Sequence, residues 1–285
     1  RNGDSNAEYD FTWREYDIPG LRERRNQLEM QVQYNTDGRF IQGRVQGSRR
    51  WSFDNNMRFQ VDLDYYPEHW DDRNSRGNGD FKLHDRYRTT VRWNSDTAAP
   101  LMLELRAEVQ SESQEGYWRS LRGDVTYRPI DQISLRLGTR YVSRDAWLIW
   151  QGNTNFATFR TEEWYPRLRI DTFFTARQQL QFELNWVGIK ADEQALYVVP
   201  GDGFLDEVSR DPDTDASAFA ISDVVLQVRY RWQIAPLSDL FVVYNRGGRL
   251  PDAPVQESFA GLFSDTFSEP QNEALIVKLR YRLGT

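Results

Sequence analysis

Val224-Val225-Leu226-Gln227-Val228-Arg229-Tyr230-Arg231-Trp232 is the stretch whose reading decides the fold. In an extended chain Val224, Leu226, Val228, Tyr230 and Trp232 share one face, and Gln227, Arg229 and Arg231 share the other. Strict period-two alternation means a β-strand with one apolar and one charged side. A short connection, Gln233 to Asp239, leads to a second run through Leu240, Val242 and Tyr244. After a long polar segment the pattern returns, with Leu275, Val277, Leu279, Tyr281 and Leu283 set against Lys278, Arg280 and Arg282.

The rest of the chain repeats this design. Tyr9, Phe11 and Trp13 make a first strand, followed by a connection from Asp17 to Gln27 that holds Pro19-Gly20. Leu28 to Tyr34 and Phe40 to Gly47 flank Thr36-Asp37-Gly38, a hairpin signal. Further alternating runs are Met57–Tyr65, Tyr87–Trp93, Leu101–Val109, Leu121–Tyr127, Ile133–Tyr141, Trp164–Phe174 and Leu180–Trp186. Between them lie a polar loop from Pro67 to Asp80, an aromatic-rich excursion from Ser143 to Glu163, and an acidic loop from Gly188 to Ala220.

Connections alternate between short and long along most of this path, and Tyr or Trp closes the apolar face at both strand ends. Tyr65, Tyr141, Trp186 and Tyr244 mark the long-loop side; Trp93, Tyr127, Trp232 and Tyr281 mark the other. Short turns on one side, long loops on the other and two aromatic girdles predict an all-β, antiparallel transmembrane barrel of the bacterial outer membrane. Mean hydropathy is −0.75, and no apolar run approaches the ~18 residues of a membrane helix, which is compatible with strands that alternate apolar-out and polar-in.

From Leu28 to Leu283 there are at least twelve strands, and Tyr9 to Trp13 is a thirteenth that runs downward from the outside. Bacterial barrels have even counts and periplasmic N-termini. The expectation is that residues 1–285 form the C-terminal part of a larger barrel whose earlier strands are missing. Arg1 to Asn6 contain neither the basic start nor the apolar core of a leader peptide, so one has been removed or the chain is part of a longer one.

Two segments carry a family resemblance. Tyr230-Arg231-Trp232-Gln233-Ile234-Ala235-Pro236-Leu237-Ser238-Asp239-Leu240-Phe241-Val242-Val243-Tyr244 and Leu275 to Leu283 resemble the C-terminal region of DUF5916 proteins, as does Ala146-Trp147-Leu148-Ile149-Trp150-Gln151-Gly152. Members are usually described as carbohydrate-binding family 9-like domain-containing proteins. The resemblance implies a Gram-negative outer-membrane protein with a glycan-binding β-sandwich upstream of the barrel, absent from this chain. It carries over no catalytic residues. The chain ends Leu-Gly-Thr, where barrels usually end on an aromatic insertion signal.

Composition narrows the chemistry. There is no cysteine, hence no disulfide framework or thiolate metal site, and only two histidines, His69 and His84. His84 is the one strand-placed candidate for a general base and has no serine convincingly beside it, so the chain does not read as an enzyme. Net charge is −7, which argues against nucleic acid as a partner.

Arginine dominates the inward positions: Arg58, Arg88, Arg92, Arg106, Arg122, Arg128, Arg136, Arg140, Arg229, Arg231, Arg280 and Arg282. Such a lumen lining would attract anionic or hydroxyl-rich solutes. The alternative is a structural ladder in which they pair with Asp62, Asp64, Glu104, Glu108, Asp124 and Glu183. Trp147, Trp150, Phe156, Phe159 and Trp164 could form an extracellular glycan platform or simply pack a hairpin above the membrane. Asp211, Asp213 and Asp215 alternate like the first ligands of a calcium loop. Ala216 and Ser222 stand where that loop needs Gly and Glu, so a solvated acidic loop is the plainer reading. No cofactor is implied.

Two functions follow as expectations. One is a conduit for hydrophilic solutes, saccharides or anions among them. The other is a non-conducting anchor in outer-membrane lipid that presents a glycan-binding module or holds a partner protein.

Overall fold

The computed structural model describes residues 4–211 and 217–282. Its strands are β1 (Ser5–Glu15), β2 (Leu21–Tyr34), β3 (Phe40–Phe53), β4 (Arg58–Tyr66), β5 (His69–Asp71), β6 (Phe81–Leu83), β7 (Arg86–Asn94), β8 (Leu101–Ser111) and β9 (Tyr117–Ile130). They continue with β10 (Ile133–Gly152), β11 (Asn155–Trp164), β12 (Arg167–Thr175), β13 (Gln178–Val198), β14 (Asp206–Val208), β15 (Ala218–Ala235), β16 (Ser238–Ala253) and β17 (Asn272–Arg280). One helix, α1 (Phe259–Ser268), lies between β16 and β17.

A single antiparallel sheet runs in the order β1-β2-β3-β4-β7-β8-β9-β10-β11-β13-β15-β16-β17, the thirteen tracks expected from the alternation. β11 and β12 share one track. β11 pairs with the upper halves of β10 and β13, β12 with their lower halves, and the four strands close a small ring of pairings. The break falls at Tyr165-Pro166, because proline has no N–H for the ladder.

The two faces of the sheet differ in character, one apolar and exposed, the other charged and largely buried. Leu63, Leu105, Leu121, Leu137, Val277 and Leu279 are exposed on the outer face, Leu121 to 59%. Asp62, Asp64, Glu108, Asp124 and Glu163 are buried on the inner one, each less than a tenth exposed. Aromatic rings pair across strands in two tiers of the outer face. Tyr65 meets Tyr87 at 4.9 Å and Tyr141 meets Trp164 at 5.2 Å near the long loops, while Trp51 meets Phe59 at 5.5 Å near the short turns.

The sheet curls toward its polar face. In a flat sheet the tops of β2 and β11 would stand seven spacings, about 34 Å, apart. The long β4–β7 connection joins them: Asp72 bonds Asn35 at the top of β2, and Phe81, whose cross-strand partner is Asp71, packs on Phe156 of β11. A two-stranded ribbon bridges that span only if the sheet bends around it.

Several elements differ from the sequence expectation. β2 begins at Leu21, so the connection expected from Asp17 to Gln27 shrinks to a tight turn; Arg24 and Asn26 are held on the sheet by Glu15. β3 runs to Phe53 rather than Gly47. The aromatic excursion is the upper part of a tall hairpin, β10–β11, and β13 climbs beside it to Val198.

The segment before β17 contains a helix. Ser258 caps it by accepting from the Gly261 N–H at 3.0 Å, and Phe259, Phe263 and Phe267 recur at the four-residue interval that makes one helical face. α1 lies on the outer face, where Leu262 packs with Trp186, Val224, Ala220 and Ala253. Ser222 accepts the Trp186 indole N–H at 2.8 Å and donates to the Leu262 carbonyl at 3.0 Å. A Cβ at Gly248 would stand 2.1 Å from the Thr266 carbonyl oxygen, so this close approach needs glycine. Trp186, read from sequence as a girdle residue, is 7% exposed because α1 covers it.

Candidate functional site

The inner face is largely an ion-pair ladder. Arg92 meets Asp62 at 2.6 Å, Arg106 meets Glu108 at 2.6 Å, Arg122 meets Asp124 at 2.7 Å, and Arg231 meets Asp239 at 3.1 Å. Asp64, its side chain fully buried, accepts from Arg44 at 2.8 Å, Gln46 at 2.9 Å and Arg88 at 3.0 Å. Arg167 joins Asp124 from β12. Arg140 donates to Ser120 Oγ at 3.0 Å and Arg229 to Gln227 at 3.1 Å. Among the described residues Arg136, Arg280, Arg282 and Glu104 make no ion pair and stand exposed. The arginine pattern seen in the sequence is therefore mainly a cross-strand scaffold, with a minority of free guanidinium groups.

The long-loop end is more enclosed. Residues 67–85 form a strap across it. On one side Arg73 bonds Asp4 at 2.7 Å, Arg39 bonds Asp80 at 3.0 Å and lies 4.5 Å over the Trp70 ring. On the other, Phe81 and Leu83 pack with Phe156 and Leu205, His84 stacks flat on Phe204 at 3.9 Å, and the Lys82 N–H donates to the Gly203 carbonyl at 2.8 Å.

Between strap and sheet lies a cavity of about 730 Å³. The strap contributes Arg73, Asn74, Arg76 and Leu83; the tops of β7 to β9 give Arg86, Arg88, Gln110 and Trp118 with Glu112 and Ser113 from the adjoining turn; β10 gives Arg144 and Trp147 to Trp150. Five arginines thus face one carboxylate. Arg88 is matched by Asp64, Arg144 by Glu163 at 2.9 Å, and Arg73 by Asp4. Among the described residues Arg86 and Arg76 make no ion pair, and the buried Arg86 Nε has no hydrogen-bond partner. Glu112 accepts the backbone N–H of Asp145 at 3.1 Å and of Ala146 at 2.6 Å, while burial pushes its carboxyl above the usual range.

The five loop aromatics do not form one platform. Phe156 and Phe159 are buried, the first against Phe81 and the second against Phe219, so neither offers a ring to a ligand. Trp164 lies on the outer face beside Tyr141 and Phe259. Trp147, Trp150 and Phe156 line the cavity, Phe156 as a buried part of its wall. Register shifts between Arg144 and Trp147 and between Trp150 and Gly152 rotate the hairpin and divide the set. Asp213 and Asp215 lie outside the described residues; among those described, no group of three or more His, Cys, Asp or Glu side chains could hold a metal ion.

Arg76, Arg86, Arg144 and Glu112 escaped sequence reading. Arg144 and Glu112 sit in segments taken as loops, and Arg76 lies in the polar 67–80 stretch. Arg86 was legible in principle, because it precedes Tyr87 on the alternating run of β7.

Fold and site together define a curled, all-antiparallel sheet protein with a polar inner face, an apolar outer face and a strapped mouth. The chain belongs to the family described as Domain of unknown function (DUF5916), which it matches over residues 2–284. No curated protein matches the sequence.

Proposed function

We propose that this chain is the membrane-spanning wall of an outer-membrane β-barrel that conducts hydrophilic solutes, saccharides or anions among them. The observation that carries the reading is the inversion of the two faces. Exposed leucines and valines between two aromatic tiers match a lipid-facing surface, and ion-paired arginines on the other face match a hydrated lumen. β4, β7 and β17, at nine residues each, have the ~9–11 residue length of a tilted membrane strand, and the taller strands extend on the long-loop side. Reconstitution in planar bilayers tests the proposal. Discrete conductance steps, with liposomes becoming permeable to small saccharides, are expected; a protein that inserts but gives neither overturns the conduit.

The strap favours a second reading, a non-conducting anchor that binds through its mouth. A segment pinned to both sides of the opening narrows the entrance. Ligand binding without conductance would select it.

A further inference from the structure

We propose that the mouth cavity binds an acidic saccharide, a sugar ring bearing a carboxylate or sulfate, with Arg86 and Arg76 as the anion contacts. Arg86 is half-buried with its guanidinium 5.6 Å over the Tyr66 ring, and among the described residues it has no hydrogen bond at Nε and no ion pair. The Nε is closed off by the surrounding chain, so an anion in the cavity would meet the terminal nitrogens of Arg86, which lines the wall and spends no charge on an ion pair among the described residues. Arg76 is held at φ +55°, a strained conformation for a non-glycine residue, and lies 4.4 Å over the Trp150 ring. That geometry sets a cation over one face of an indole on the cavity wall. Across the cavity Arg144 sits 5.0 Å over Trp147 in the same manner.

The wall chemistry selects the ligand class. At about 730 Å³ the cavity is far larger than a bare anion needs and lies within the ~300–1,000 Å³ typical of small-molecule sites. Indole and aliphatic side chains beside a cluster of arginines match the apolar face and hydroxyl rim of a pyranose. A guanidinium fork pairs two oxygens of a carboxylate or sulfate. Glu112, the carboxylate in this wall, receives two backbone N–H bonds on Oε2, which holds it back against β10.

The inference names a ligand for the mouth of the proposed barrel and rests on that reading for its biological setting, yet binding requires no open pore. The test is therefore calorimetric titration of the purified chain in detergent, scored apart from flux. The probes are digalacturonate, the neutral disaccharide galactobiose, and citrate. Digalacturonate is expected to bind at least about tenfold tighter than either comparator, since one charged hydrogen bond is worth that factor. Arg86→Gln and, independently, Arg76→Gln on the strap should each weaken it by about tenfold. Arg119→Gln, whose partner Asp145 lies outside the cavity, should leave it unchanged. Equal binding of galactobiose overturns the anion contact, equal binding of citrate overturns the saccharide, and no binding of any probe overturns the site. Loss of flux with binding intact would strike the conduit and leave this inference standing.

Discussion

At the scale of the residue, Asp64 shows what an inner-face carboxylate does. Two arginines and a glutamine converge on its fully buried oxygens from the two flanking strands, β3 and β7. Removing one partner of a buried ion pair leaves the rest uncompensated, at about 3–5 kcal/mol. Asp64→Asn should lower unfolding stability by that order, measured by denaturant titration in micelles, whereas Arg136→Gln should change little because no partner is lost. Glu112 gives a pH signature instead. Burial raises its carboxyl above the ordinary value of 4.5, so the neutral form persists to higher pH in the folded protein. The stability this lends is complete below the ordinary pKa and is lost as pH rises through the raised one. Over the same rise a negative charge forms among Arg73, Arg76, Arg86, Arg88, Arg144 and Asp145, so anion affinity should fall. Glu112→Gln should abolish that fall in a pH series of titrations.

At the scale of the element, α1 is the feature most dependent on tertiary contacts. Its docking rests on Leu262 and on the chain of bonds from Trp186 through Ser222 and Thr266 to the helix backbone. Ser222→Ala leaves the buried indole N–H unmatched and should cost about 1–3 kcal/mol. Leu262→Ala opens a cavity under the helix and should cost about 2–5 kcal/mol. Both should appear first as faster proteolysis between residues 254 and 271, ahead of any loss of the sheet. The strands themselves were legible, because period-two alternation is local and survives in every track from Tyr9 to Tyr281. The second half of β3 was hidden by Arg49-Arg50, two charges in succession that break the alternation; the sheet accommodates them through Asn26 and Gln60. α1 was hidden because three phenylalanines four residues apart lie in a segment otherwise polar. The mouth site was hidden for a different reason. Its arginines come from segments far apart in sequence, and only the curl of the sheet and the path of the strap unite them.

At the scale of the whole molecule, the strap is the element that separates the two proposed functions, an open conduit and a restricted mouth. It is tied to the β1–β3 side by Asp4, Asn35 and Arg39, and to the β10–β11 hairpin by Phe81 and Arg76. Replacing residues 68–84 with a short glycine-serine turn should raise single-channel conductance several-fold in planar bilayers and abolish acidic saccharide binding. An unchanged conductance would place any constriction elsewhere. Among the described residues β1 and β17 pair on one side only, and both run in the same direction. A direct seam between them would therefore be parallel, while antiparallel closure needs an odd number of further strands.

The outward leucines have a thermodynamic corollary. A water-soluble domain carries its own oil, and its stability is a property of the chain. Here much of the apolar surface points away from the protein, so the free energy of its transfer depends on the surrounding medium. Stability then becomes a joint property of polypeptide and host. On the proposed lipid-facing reading of that surface, folding should behave as adsorption onto an acyl layer, with a midpoint that tracks the thickness of that layer, and in bare buffer the same sequence should prefer its neighbours to its own fold.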